Sequence, residues 1–268
     1  MKGTFKLQDG YTGRMPVSLR NYPYNKDVRV FYSDCRTLSV DQKTDMEALA
    51  PLIPEEFEIL SPTVSWQYTN CRGVDFLAQG EYRILQAAVP VRFCGQEDNV
   101  EGVFPLVILE NNAVPVLGGR EEDGMPKLVC DISLDRHVDK HWFAAAASDC
   151  ETVARMHFHE EGEWTPEQVA AYNEHSTVAA FGFRCLPNVG GPGLALREFV
   201  LYPQQCIIKR VFSGTGECKV IPPEEWYIQP TLASTLYTLA GLPNLGFENA
   251  VRTECALRLC VSDSRVIR

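Results

Sequence analysis

Gly119-Arg120-Glu121-Glu122-Asp123-Gly124-Met125-Pro126-Lys127-Leu128 is the most informative stretch of this chain. Ahead of it, Ala113 to Leu117 reads as a strand that runs into two glycines. A charged turn follows, and Lys127 then opens a second apolar stretch, Lys127 to Leu134, that reads as another strand. A lysine at the start of an apolar strand ordinarily snorkels its ammonium to water. Composition alone therefore gives Lys127 no chemistry.

Outward from this segment the dominant pattern is strand. Val64 to Tyr68, Tyr82 to Phe93, Val103 to Leu109, Thr152 to Phe158 and Thr177 to Phe183 are apolar or alternating runs bounded by turn residues. Glu198 to Tyr202, Cys206 to Phe212 and Arg252 to Val261 continue the series. Helices are few. Thr44 to Ala50 begins with a capping residue and stops before Pro54, Thr165 to Asn173 has Pro166 in its first turn, and Pro230 to Ala240 is the third. The first 25 or so residues, rich in Tyr, Pro, Asn and Gly, read as an irregular arm. The expected fold is α+β, a mostly antiparallel barrel-like sheet with a few flanking helices, in a single domain over 1–268.

A formal charge of −10 argues against nucleic acid or an anionic membrane surface as partner. No apolar run follows Met1-Lys2-Gly3-Thr4-Phe5-Lys6 and no window approaches the ~20 apolar residues of a membrane helix, so a cytoplasmic protein is expected. Ten cysteines occur without a C-x-x-C pair, and they read as reduced core thiols.

The segment around Lys127 resembles the acetoacetate decarboxylase family, in which a Gly-Arg-Glu turn is followed by Pro-Lys and the lysine is the Schiff-base nucleophile. Thr44-Asp45-Met46-Glu47-Ala48-Leu49, Pro54-Glu55 and Phe57-Glu58-Ile59 are similar to the family's N-terminal helix and turn. Tyr82, Ala88-Val89-Pro90-Val91 and Phe93 are similar to the strand that leads to the lysine. Register holds without a gap from Thr44 to Tyr68 and from Tyr82 to Phe93, whereas the C-terminal half matches mainly in its last strand. A free lysine, with a pKa of roughly 10.4, is protonated at pH 7 and must be freed by desolvation or a neighbouring cation. This family is itself the familiar example of that effect.

The chain also departs from the family. Leu128 stands where the decarboxylases have a second lysine, so freeing the amine falls to desolvation by Met125, Pro126 and Leu128. Two pocket glutamates of the decarboxylases fall on Ile84 and Gln67, and the early active-site arginine is matched approximately by Arg36. These changes resemble a diverged branch that runs aldol, dehydration or cyclisation chemistry with a carboxylate from the last strand. In Val251 to Leu259, alternation puts Arg252, Glu254 and Arg258 on one face. If that face lines the barrel, Glu254 is the acid/base and an arginine binds a substrate carboxylate; if it faces water, it is only a polar surface.

The resemblance thus implies a lyase that forms a Schiff base at Lys127 with a keto acid or polyketide-like carbonyl compound, without metal or organic cofactor. Arg36, Gln67, Tyr82, Ile84, Met125 and Arg258 are expected around the substrate. Arg120 and Glu121 either brace the turn before Lys127 or touch substrate. Plain β-keto acid decarboxylation is the alternative, and a non-catalytic ligand-binding barrel is the alternative of another class. The family's tendency to assemble implies a homo-oligomer.

Three further constellations compete. His157-Phe158-His159 with Glu163 imitates a metal site but lacks a second half with a further histidine, and it reads as a solvated edge. His137 and His141 read as a surface connection. Gly190-Gly191-Pro192-Gly193 has no following Lys-Ser/Thr and reads as a flexible turn, with a pocket cover as its functional reading.

Overall fold

Long β-branched and aromatic runs, broken by few helix-forming stretches, turn most of this chain into strand. The computed structural model describes residues 1–27, 29–173, 177–225, 227 and 229–268. A small hairpin, β1 (Tyr11–Gly13) and β2 (Asn21–Pro23), precedes one large sheet. That sheet opens with β3 (Val30–Lys43), then the one-turn helix α1 (Met46–Leu49) and β4 (Phe57–Ile59). It continues with β5 (Thr63–Val74), β6 (Gly80–Cys94) and β7 (Asn99–Glu110). Helix α2 (Ala113–Asp123) leads into the short strands β8 (Lys127–Val129), β9 (Asp131–Ile132) and β10 (Arg136–Val138). Next come β11 (His141–Ser148), β12 (Glu151–Glu163), helix α3 (Pro166–Asn173), β13 (Thr177–Pro187) and β14 (Leu194–Val220). Helix α4 (Pro230–Ala240), β15 (Phe247–Leu259) and β16 (Arg265–Ile267) complete the order.

The 27-residue β14 closes the sheet. Its first stretch pairs with β13, its middle with β15 and its end with β12. The ring β14–β13–β7–β6–β5–β3–β15 is therefore continuous, and it is antiparallel except where β13 meets β7.

Both faces of the ring are covered. On β5, Gln67, Thr69 and Cys71 point into the barrel, while Trp66, Tyr68 and Asn70 point outward. The outward face packs under a second layer, where Trp142, Ala144, Met156 and Phe158 of β11 and β12 join Leu232 and Leu236 of α4 in one core. Phe57 fixes one end of that core, its ring centroid 5.1–5.2 Å from those of Phe93, Phe104, Phe181 and Phe199.

The expected α+β barrel-like architecture is present, with several local corrections. Ala113–Leu117 is the start of α2 and not a strand. β3 and β11 have no counterpart among the expected strands, and the two expected strands on either side of Pro203 are one strand, β14. Asp45, not Thr44, caps α1, accepting from the backbone N–H groups of Glu47 and Ala48 at 2.7 and 3.1 Å. The N-terminal arm carries a hairpin and is tied down by an Arg14–Glu122 ion pair. Of the ten cysteines, only Cys35, Cys71, Cys130, Cys218 and Cys255 are buried. No helix among the described residues is long and apolar enough to cross a membrane.

Asp135 joins the two layers. It lies in the β9–β10 connection and accepts from Arg36 and from Asn70 Nδ2 at 2.9 Å, while its backbone N–H donates to the Tyr68 hydroxyl at 2.9 Å. Burial alone raises a carboxyl, but the bonds from Arg36 and Asn70 outweigh it and hold Asp135 below its ordinary value. Its stabilisation is therefore present above about pH 4 and is lost as pH falls through the depressed value. Asp135→Ala is expected to cost up to the roughly 3–5 kcal/mol of a broken buried pair at pH 7. The melting temperatures of wild type and variant should converge in strong acid; a gap that persists there would contradict this account.

Candidate active site

β8 lies parallel to β7, with Lys127 beside Ile108 and Val129 beside Glu110. A parallel return needs a crossover, and α2 supplies it, which is why Ala113–Leu117 coils in spite of its strand-like composition. The Asn112 side chain caps the helix by accepting from Val114 N–H at 2.9 Å. Gly124 ends it in the left-handed region at φ 67°, a conformation that favours glycine.

Lys127 enters the barrel beneath this helix. Its Nζ donates to the Pro115 carbonyl at 3.1 Å and stands 2.9 Å from Glu110 Oε1. The lysine side chain is 15% exposed and the glutamate 1%, so the pair is nearly dry. The contact is an ion pair without hydrogen-bond alignment, and both oxygens of Glu110 lack a hydrogen-bond donor. Gly119 makes room for the lysine, since a Cβ there would stand 2.6 Å from Lys127 Cε and 2.9 Å from Nζ. Arg120 donates to the Lys127 carbonyl at 2.9 Å and so fixes the backbone of the same residue.

The ammonium and its partner open into a cavity of about 120 Å³. The walls add Asp123 from the end of α2, the amide pair Gln67–Gln86 (2.6 Å), the hydroxyl pair Tyr32–Tyr82 (3.0 Å), Tyr202 and Gln204. Thr69, Cys71, Ile84, Ile108, Met125, Leu257 and Leu259 complete the lining. Burial raises the Glu110 carboxyl, and the opposing pull of Lys127 does not cancel it. Asp123 is pushed up to about 7, first by burial and then by Glu122, against the pull of Lys127, Arg14 and Arg184. Burial likewise drives Tyr32, Tyr82 and Tyr202 well upward, which leaves three neutral hydroxyls.

Of the residues expected here, Gln67, Tyr82, Ile84 and Met125 share the cavity with Lys127. The others do not. Glu254 and Arg36 are register partners on the outward face of the barrel. There Glu254 pairs with Arg252 at 2.8 Å, and the Arg252 guanidinium lies over Trp142 and Phe212. On β15 it is the apolar set, Leu257 and Leu259, that reaches the cavity, so the alternation holds with the faces opposite to the catalytic expectation. Arg258 is exposed and contacts Gln205 at 3.4 Å. Arg120 and Glu121 line an outer groove beside Phe183 and Leu186. Leu128 packs against the main core instead of the cavity.

Glu110, Asp123, Tyr32, Tyr202, Gln86 and Gln204 were not expected. Glu110 left a signal, a carboxylate directly closing the apolar run Val103 to Leu109, and Asp123 lies inside the lysine motif itself. Elsewhere, Glu163 pairs with Arg210 at 2.7 Å. Among the described residues no group of three or more His, Cys, Asp or Glu side chains is arranged to hold a metal ion. His137 and His141 flank the β10–β11 turn, and the Gly190–Gly193 turn links β13 to β14 without lining the cavity.

A family model described as acetoacetate decarboxylase matches residues 14–227. Curated relatives include an acetoacetate decarboxylase of Burkholderia mallei, 24% identical over 185 residues, covering 69% of this chain and 72% of the relative. Another is acetoacetate decarboxylase 1 of Bradyrhizobium diazoefficiens, 23% identical over 187 residues, covering 68% and 70%. The acetoacetate decarboxylase crystal structure from Legionella pneumophila superposes with a TM-score of 0.75 at 17% identity, covering 100% of this chain and 92% of that one. The enduracididine biosynthesis enzyme MppR complexed with pyruvate superposes at 0.70 and 14% identity, covering 96% and 98%.

Two adjacent glycines test the packing. A Cβ at Gly118 has only the Arg14 guanidinium nearby, at 3.6 Å or more. Gly118→Ala is therefore expected to gain the usual ~0.5–1 kcal/mol of a helix interior. Gly119→Ala should instead lose about 1–3 kcal/mol by overpacking against Lys127. Chemical denaturation measures both, and equal gains would refute the close approach. Asp123 gives a second test. Its raised carboxyl contributes stability below its unfolded value near 4 that is lost as pH rises through about 7. Asp123→Asn should therefore melt progressively higher relative to wild type between pH 4 and 8.

Proposed function

The chain belongs to the acetoacetate decarboxylase family, and from that premise we propose that it is a lyase that works through an iminium formed between Lys127 and a carbonyl substrate. The observation that carries this reading is the Lys127–Glu110 pair, 2.9 Å apart and almost excluded from water at the wall of the cavity. Glu110 is the group placed to take the ammonium proton, because burial favours its neutral form. The free amine then adds to the substrate carbonyl, and the protonated Glu110 returns its proton to the carbinolamine oxygen, which leaves as water.

The iminium draws electrons from the neighbouring carbon, so a bond at that carbon can break and leave an enamine. Carbon dioxide loss, retro-aldol cleavage and loss of a β-hydroxyl all use this one sink. Asp123, with its carboxyl near 7, is suited to exchange protons with the enamine at neutral pH. In this reading it takes the acid/base role that the family resemblance suggested for Glu254. Gln67, Gln86 and Tyr82 bind the polar groups of the substrate. Ile84 and Met125 supply apolar wall, and Arg120 holds the Lys127 backbone in place.

Plain decarboxylation of a β-keto acid is the second reading, favoured by the names of the curated relatives. Borohydride reduction in the presence of a panel of ketones, aldehydes and keto acids, followed by intact-mass analysis, tests the imine itself. Wild type is expected to gain the reduced adduct and Lys127→Ala to gain none. An unmodified wild type across the panel would leave a non-catalytic binding barrel. For any compound that is trapped, carbon dioxide release separates decarboxylation from aldol or dehydration chemistry.

A further inference from the structure

The lysine cavity holds little positive charge. Among the described residues that line it, Lys127 is the sole basic side chain, and it faces Glu110 and Asp123. Arg120 lies in the outer groove and donates to the Lys127 backbone carbonyl, and other guanidinium groups on the elements around the barrel are held in ion pairs. Arg14 pairs with Glu122, Arg184 with Glu198, Arg36 with Asp135, and Arg252 with Glu160 and Glu254.

Once Lys127 becomes an iminium, its one positive charge is matched by the Glu110 carboxylate. A substrate that brings a carboxylate of its own adds a second negative charge to a dry site with no further cation to receive it, and burying an unpaired charge is strongly unfavourable. The remaining polar groups are neutral. Gln86 donates to Gln67 Oε1 at 2.6 Å, which leaves the Gln67 N–H groups and the Gln86 carbonyl oxygen for a ligand. The Tyr32–Tyr82 hydroxyl pair and Gln204 add further neutral donors and acceptors. Such a wall matches hydroxyl and carbonyl groups rather than a carboxylate.

We infer that the substrate is an uncharged carbonyl compound bearing a hydroxyl or a second carbonyl group, and not a keto acid. The inference rests on the imine reading and narrows it. Of the reactions open to the iminium, it selects cleavage of a carbon–carbon or carbon–oxygen bond without loss of carbon dioxide.

Methyl acetoacetate and acetoacetate share a skeleton and differ in charge, so they form the test pair. Imine formation joins Nζ to the ketone carbon and releases its oxygen as water; borohydride then adds hydride to that carbon to give a stable secondary amine. Labelling of the full chain at pH 7 is followed by intact mass, with acetoacetate and acetone adducts counted together and rates normalised to a free lysine peptide. The ester is expected to reach half-maximal labelling at a concentration at least tenfold below that of the acid. Gln67→Arg, which places a cation on the wall, is expected to narrow that gap. Equal or preferential labelling by acetoacetate would overturn the inference and leave the imine reading standing. Labelling by neither compound would overturn the inference and leave the imine reading to the wider panel, whereas labelling that persists in Lys127→Ala would remove the imine reading and the inference with it.

Discussion

Lys127 and Glu110 hold opposite charges 2.9 Å apart where almost no water reaches them, and much of the surrounding structure can be understood as what keeps them there. Two ionisable groups survive burial together only when each has the other. That condition demands a surrounding wall, and the seven-strand ring completed by β14 supplies it. It also demands that the lysine approach from beneath a helix with no side chain in the way, which is the place of Gly119. A parallel β7–β8 pair sets the residues side by side, and α2 makes that pairing possible. The same burial raises the Glu110 carboxyl.

A second consequence follows from covering both faces of the ring. Each strand separates its side chains into an inward set around the cavity and an outward set under the second layer. Most of the permanent ion pairs went outward. Arg36 with Asp135, and Arg252 with Glu160 and Glu254, bind the layers together and are flanked by Trp142 and Phe212. The inward set is mostly amides, hydroxyls and aliphatic groups, and against it the three charged side chains stand out.

This double covering explains why the site was only partly legible. Alternation on β15 correctly grouped Arg252 and Glu254, but period two says nothing about which face is the barrel interior. A strand with one wet face would have answered that by polarity. Here both faces are buried, and a cation–π and ion-pair layer imitates an active site. Glu110 is hidden for the converse reason, since a single acid after an apolar run looks like the end of a strand. α2 misled because Val114, Pro115, Val116 and two glycines are poor helix formers, and its coiling is imposed by the crossover it must make.

By itself the sequence determined the family, the strand-rich fold class, and five of the positions that line the cavity, Lys127, Gln67, Tyr82, Ile84 and Met125. These are properties of contiguous segments, in which local pattern and motif sit within a few residues of one another. Only the tertiary structure decided the partner of Lys127, the face on which Glu254 and Arg36 fall, and the absence of a second basic side chain among the described residues lining the cavity. Those facts depend on which strands become neighbours and which way the closed sheet turns its faces. Such choices are made by long-range pairing and burial, on which no short stretch of residues carries the information.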